Sequence, residues 1–132
     1  MADSRLCIDT DVVVDYLRRR NDILERAISQ FDCFFTAMTV YELEIGLARA
    51  PSQYAGFQEL LALISVLPLD RRVAQAAAQV YERLGTQGLP IGLQDTLIAG
   101  TCIAQNVPLL TRNVGHFGRI HDLTVVAPAH LV

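Results

Sequence analysis

Lysine is absent from this chain: all 11 of its basic residues are arginine. Set against 14 acids they leave a net charge of −3, which argues against a surface built for non-specific phosphate binding. A local arginine patch remains open, as does nucleic acid held through bound cations. Long apolar runs are missing too. The longest uncharged stretch, Thr96–Thr111, is shorter than a membrane span and contains Gln105, Asn106 and Pro108. Asp3, Arg5 and Asp9 interrupt any apolar leader at the N-terminus. Cysteine is scarce. Cys7, Cys33 and Cys102 lie in apolar contexts without C-x-x-C spacing, so they read as reduced, buried thiols of a cytoplasmic protein and not as metal ligands or a disulfide framework. Repeats, low-complexity segments and Pro/Gly/Ser linkers are absent as well, which makes one domain over residues 1–132 the expectation.

What is there is a folded composition, 52% apolar and 19% charged. The chain is organised around Leu6–Asp11, where a short apolar run stops on two carboxylates flanking a threonine. This predicts a buried strand over Arg5–Ile8 that delivers Asp9 to a crevice, since ligands gather at the carboxyl ends of strands in open α/β sheets. Helices are predicted over Val12–Arg20, with Arg18, Arg19 and Arg20 suiting the dipole at its end, and over Ile23–Gln30, with Ile23, Ala27 and Ile28 inward. Cys33–Thr36 is β-prone and forms the second strand. Thr39-Val40-Tyr41-Glu42 has the form of a capping box and opens a helix that stops before Pro51. A further helix covers Gln53–Ile64 and a third strand Ser65–Leu69. Asp70 caps a helix over Arg71–Leu84, a glycine-rich loop follows, and a last helix covers Leu93–Gln105. Strands four and five are expected at Pro108–Thr111 and Leu123–Val126. Alternation of strand and helix implies parallel pairing, hence an α/β fold: a three-layer α/β/α sandwich on a mostly parallel sheet.

Three acids stand where an apolar stretch or loop gives way to a helix: Asp9, Glu42 and Asp95. On a parallel sheet these positions face one rim. Carboxylates gathered in a low dielectric repel each other, and a hard divalent cation with oxygen ligands, Mg²⁺ or its substitute Mn²⁺, resolves the repulsion. Such a cation lowers the pKa of bound water and stabilises charge on a phosphate, which is the chemistry of phosphodiester hydrolysis. Plainer uses stand beside this one. Asp9 or Asp11 could cap the first helix, Glu42 could complete the capping box of Thr39, and Asp95 could simply suit a helix N-terminus. Glu44 points elsewhere on its helix and is expected in solvent.

Four segments carry a resemblance: Leu6–Val13, Thr39–Gly46, Pro90–Ala99 and Leu110–Phe117. In order and spacing they resemble the successive motifs of PIN-domain ribonucleases, and most closely the VapC toxins of bacterial toxin–antitoxin pairs. The resemblance implies a PIN-like fold and a Mg²⁺-dependent endoribonuclease, usually a homodimer, held inactive by a cognate antitoxin in a heterotetramer or larger assembly. It implies that Asp9 and Asp95 ligate metal with Glu42 as the third acid, and that the products carry 5′-phosphate and 3′-hydroxyl ends. One position departs from the family, which often has a fourth acid where this chain has His116. That puts a second metal in question, although Asn113 could supply a neutral oxygen. His116 itself could act as acid or base near the phosphate, or pack beside Phe117. Thr10 and Thr39 could orient carboxylates or serve as turn and cap residues. Arg112 could meet substrate phosphate or end a strand in solvent.

Two other readings remain open. Asp9-Thr10-Asp11-Val12 after an apolar strand also resembles the first motif of haloacid-dehalogenase-type phosphatases, but that family needs a downstream cation, usually lysine, and a later acidic pair. Alternatively the acids could serve a catalytically inactive binding subunit by receiving a partner's arginines.

Overall fold

The computed structural model describes residues 4–131; Asp3, named above among the charges near the N-terminus, and Val132 lie outside them. Within the described residues the elements run β1 (Arg5–Ile8), α1 (Thr10–Leu17), α2 (Ile23–Gln30), β2 (Asp32–Thr36), α3 (Ala37–Leu47), α4 (Tyr54–Leu63), β3 (Ser65–Leu67), α5 (Arg71–Thr86), α6 (Leu93–Gln105), β4 (Leu109–Leu110), α7 (Val114–Phe117) and β5 (Val125–Val126). The strands lie in the order β3-β2-β1-β4-β5, and every pairing is parallel. The expected α/β architecture is therefore present.

Period-two alternation divides the core. Leu6 and Ile8 of β1 enter one apolar cluster with Val12, Val13, Leu24, Phe35, Leu43 and Phe57. Cys7 points the other way, into a cluster with Val80, Leu84, Ile98, Cys102 and Phe117. Leu110 and Leu109 divide in the same manner. Helices α1, α2 and α4 thus cover one face and α5 and α6 the other, making three layers. All three cysteines are buried and unpaired, as expected. Among the described residues no helix is long and apolar enough to cross a membrane.

Where the chain turns from β3 back past β1 to β4, the strand order reverses. The ligand-binding crevice of open α/β sheets lies at such a switch, outside the carboxyl ends of the strands. β1 and β4 pair through Ile8 and Leu110, so the next residues, Asp9 and Thr111, emerge side by side at this point.

Several boundaries differ from those expected. Helix α1 starts at Thr10 and ends at Leu17; Arg19 adopts a left-handed φ of 55°, so Arg18, Arg19 and Arg20 lie beyond the helix and not in its last turn. Leu24, not Ile28, completes the buried face of α2, and Ile28 is 36% exposed. Helix α3 begins at Ala37 and is capped by Thr36, whose hydroxyl accepts from the Thr39 backbone N–H at 3.0 Å. The Thr39 capping box is thereby overturned: Thr39 is inside the first turn, and the hydroxyl one turn earlier satisfies the free N–H. The helix expected over Gln53–Ile64 is α4, Tyr54–Leu63, entered through a 3₁₀ turn, Pro51–Gln53. Strands β3, β4 and β5 are shorter than their apolar runs. Helix α7 was not anticipated; it is one turn long, which is too little for periodicity to reveal.

Candidate active site

Asp9 follows β1 directly and sits at the N-cap position of α1. It is 6% exposed. Its Oδ1 accepts from the Thr10 backbone N–H at 2.8 Å and its Oδ2 from the Thr111 hydroxyl at 2.7 Å. Burial, above all, raises its pKa from 3.8 to about 7; the charges of Asp11 and Asp95 push the same way, and the bonds from Thr111 and Thr10 oppose them. Asp9 therefore carries negative charge that the protein alone compensates poorly.

Glu42 lies on the second turn of α3 and receives a hydrogen bond at 2.7 Å from the Thr10 hydroxyl. Thr10 and Thr39 also join hydroxyl to hydroxyl at 3.0 Å, and Thr36 and Thr39 at 3.2 Å. A hydroxyl has one proton, and a carboxylate only accepts. Thr10 spends its proton on Glu42, so Thr39 must donate to Thr10 and Thr36 to Thr39. This relay aims the Glu42 carboxylate. Thr10 does so directly, and Thr39 acts at one remove.

Asp95 is in the first turn of α6. Its Oδ2 lies 2.8 Å from His116 Nε2, and the imidazole also meets Phe117 edge-on at 5.7 Å between ring centres. His116 thus does pack beside Phe117, but its polar edge is committed to a site acid. That pairing had no signal in sequence, because α7 has no visible period.

Asp9, Thr10, Asp11, Glu42, Asp95, Arg112, Asn113 and Phe117 line one cleft of about 370 Å³ at the switch point. A larger open hollow of about 890 Å³, bordered by Arg18–Arg20 and by Ser52 to Glu59, holds none of the three acids; volume does not mark the site here. The three acids share the cleft without converging into a coordination shell: among the described residues no group of three His, Cys, Asp or Glu is arranged to hold a metal ion. Glu42 is drawn to Thr10 and Asp95 to His116. The chemistry of the donors nevertheless fits a hard cation. All three offer carboxylate oxygens, Asp9 lacks compensation, and Asp11 in the same wall keeps Oδ1 buried without a partner.

The remaining candidates are placed as follows. Asn113 is exposed at the cleft; its backbone N–H donates to the Thr111 hydroxyl at 3.0 Å. Arg112 also lines the cleft but is no free strand end: its Nε lies 2.9 Å from Asp15 Oδ2 and 3.9 Å from Asp11 Oδ2. Asp11 does not cap α1. Its Oδ2 accepts from the Arg112 backbone N–H at 3.2 Å, and burial raises its pKa against the pull of the Arg112 guanidinium. Glu44 is exposed, as expected. Sequence reasoning missed Thr111 and Asp15. Thr111 stood within a quoted motif, and its place directly after an apolar strand was the available signal.

Comparison with known proteins gives this geometry its setting. The family model for the PIN domain matches residues 6–122. The chain belongs to the PIN-domain family. This PIN domain is 30% identical over 128 residues to Ribonuclease VapC of Rickettsia bellii, covering 92% of this chain and 94% of that relative. It superposes with a TM-score of 0.82 and 29% identity on a chain from the crystal structure of FitAcB from Neisseria gonorrhoeae, covering 96% and 99% of the two chains. A chain of VapBC2 from Rickettsia felis, crystallised bound to a DNA fragment from their promoter, shares 22% identity with a TM-score of 0.85 over 93% and 98%. The last likeness bears on the fold of the PIN domain alone.

Proposed function

We propose that this PIN domain is a metal-dependent endoribonuclease, the toxin of a toxin–antitoxin pair, with Asp9, Glu42 and Asp95 holding Mg²⁺ or Mn²⁺. The observation that carries the reading is the shared cleft: acids from positions 9, 42 and 95 line one hollow at the switch point of a parallel sheet. The name of the Rickettsia bellii relative, Ribonuclease VapC, supports the ribonuclease class; the antitoxin partner follows from the motif resemblance to VapC toxins. A homodimer and a cytoplasmic setting complete the reading.

A divalent cation, when bound, activates water and offsets charge on the scissile phosphate. The chain's own residues prepare the place. Thr10 and Thr111 hold both oxygens of Asp9 from the protein side. The Thr36–Thr39–Thr10 relay fixes Glu42. His116 Nε2, 2.8 Å from Asp95 Oδ2, orients that carboxylate from the side of α7.

The test is direct. Purified protein is incubated with total RNA in Mg²⁺ or EDTA, beside Asp9→Asn, and the cleaved ends are mapped. Cleavage that needs Mg²⁺, fails in Asp9→Asn and leaves 5′-phosphate and 3′-hydroxyl ends is the expected result. Cyclic 2′,3′-phosphate ends would reassign the chemistry to His116. No cleavage under any divalent cation, together with tight binding of a basic partner, would leave an inactive binding subunit.

A further inference from the structure

One buried charge is unused by this mechanism. Asp15, on α1 one turn after Asp11, is 1% exposed. Its Oδ2 meets Arg112 Nε at 2.9 Å and accepts from Asn21 Nδ2 at 3.1 Å, while Oδ1 lies 3.6 Å from Arg20 Nη1 without a hydrogen bond. A carboxylate buried at one end of an ion pair is a poor device for stability alone, because its desolvation offsets most of the Coulomb gain. What Asp15 does supply is a fixed guanidinium.

Arg112 is held at three points. Its backbone N–H donates to Asp11, its Nε faces Asp15, and its neighbours Thr111 and Asn113 are tied to each other. Among the described residues no hydrogen bond engages its Nη1 or Nη2, and its side chain is 49% exposed. Among the described residues that line the cleft it is also the one cation, sharing that lining with Asp9, Glu42 and Asp95. With its Nε drawn to Asp15 by this ion pair, the guanidinium leaves its Nη groups as a planar donor pair, the arrangement that suits phosphate oxygens.

We propose that Asp15 is a positioning residue: it pins Arg112 at the cleft rim so that the free Nη edge takes a non-bridging oxygen of the RNA backbone beside the three acids. The proposal rests on the nuclease reading above and deepens it. Arg20 lies 3.6 Å from the same carboxylate but borders the other hollow and does not line the cleft, which makes it the control.

Two measurements test it. The first is steady-state cleavage of a defined single-stranded RNA by wild type, Asp15→Asn, Arg112→Gln, the double variant and Arg20→Gln. Asp15→Asn and Arg112→Gln should each raise KM about tenfold while kcat stays within about twofold, and the double variant should be no worse than Arg112→Gln, because one contact is lost in all three. Arg20→Gln, with the same change in charge as Arg112→Gln, should behave as wild type. The second is binding of labelled RNA by Asp9→Asn protein across a salt series, read by fluorescence anisotropy. Adding Arg112→Gln or Asp15→Asn should reduce the slope of log Kd against log salt by about 0.7, the value for one phosphate contact on a single strand.

A purely structural Asp15 would instead lower the melting temperature and the active fraction and leave KM and the slope alone; that result overturns the proposal. So does an Arg112→Gln protein with an unchanged slope. Should Asp15→Asn fail to fold, Asp15→Glu, which keeps the charge and shifts it by one methylene, decides through the same KM and slope. Absence of cleavage with the slope difference intact would strike the nuclease reading and keep the Arg112 contact; cleavage with KM and slope unaltered would do the reverse.

Discussion

The Thr111 hydroxyl reaches across 102 positions of sequence to donate a 2.7 Å hydrogen bond to Asp9 Oδ2, in the buried floor of the cleft. Hydrogen bonds to charged groups are worth about 1.5–3 kcal/mol, and loss of such a partner behind a metal-binding group costs about 10–100-fold in affinity or activity. Thr111→Val, close to isosteric, is therefore expected to lower RNA cleavage by about one to two orders of magnitude, whereas Thr111→Ser stays within a few-fold. Cleavage rates at fixed Mg²⁺, with melting curves to confirm folding, check this. Equal activity of the valine and serine variants would remove Thr111 from the site.

Asp9 gives a pH dependence whose sign can be stated. Its folded pKa, about 7, lies above the ordinary value of 3.8. The folded state then binds more protons than the unfolded one between those values, so in EDTA this residue's contribution to stability falls as pH rises from about 4 to about 7. The gap between 3.8 and about 7 corresponds to roughly 4 kcal/mol at full ionisation. Asp9→Asn is expected to melt above wild type at pH 8 in EDTA, with the advantage gone below pH 4. One acceptor is lost in the amide, but the Thr111 hydroxyl can turn to accept from its NH₂. Calorimetric scans at both pH values make the comparison.

Cation binding should be visible without RNA. A ligand that binds only the folded state at 100 times its Kd stabilises by about 2.7 kcal/mol. Mg²⁺ or Mn²⁺ is expected to raise the melting temperature of wild type, and to raise that of Asp9→Asn or Asp95→Asn much less. In His116→Asp a new carboxylate replaces the imidazole beside Asp95. That variant should melt lower in EDTA at pH 8 and gain more from Mg²⁺ than wild type does. A His116→Asp protein with an unchanged cation response would remove position 116 from the cation's surroundings.

Packing between α5 and α6 depends on one missing side chain. A Cβ on Gly100 would stand 2.7 Å from the Ala77 backbone nitrogen and 2.9 Å from its Cα, neither of which can move aside. Gly100→Ala should destabilise by about 1–3 kcal/mol through overpacking, in spite of alanine's better helix propensity. Gly46 in α3 has nothing within 4 Å of its would-be Cβ. Gly46→Ala should accordingly be neutral or stabilise by up to about 1 kcal/mol. Urea denaturation of the two variants side by side checks both signs.

Much of this molecule was legible before any coordinates. Apolar runs ending on carboxylates gave the start of β1 and the place of Asp9, and helical spacing gave α5 and α6 close to their observed bounds. Errors fell where two local devices compete for the same residues. Thr36 and Thr39 both offer a capping hydroxyl, and the strand's last residue won because its extended backbone suits the N-cap. The arginine run after α1 looked helical until the left-handed Arg19.

The sequence alone determined the class of fold and the place of Asp9 at the end of β1, because periodicity and burial are local matters of spacing. Only the tertiary structure decided who holds those acids. Thr111 on Asp9, His116 on Asp95 and Arg112 on Asp15 are partnerships between segments 21 to 102 residues apart. Such contacts follow from the order in which parallel strands assemble, and no local pattern along the chain records that order.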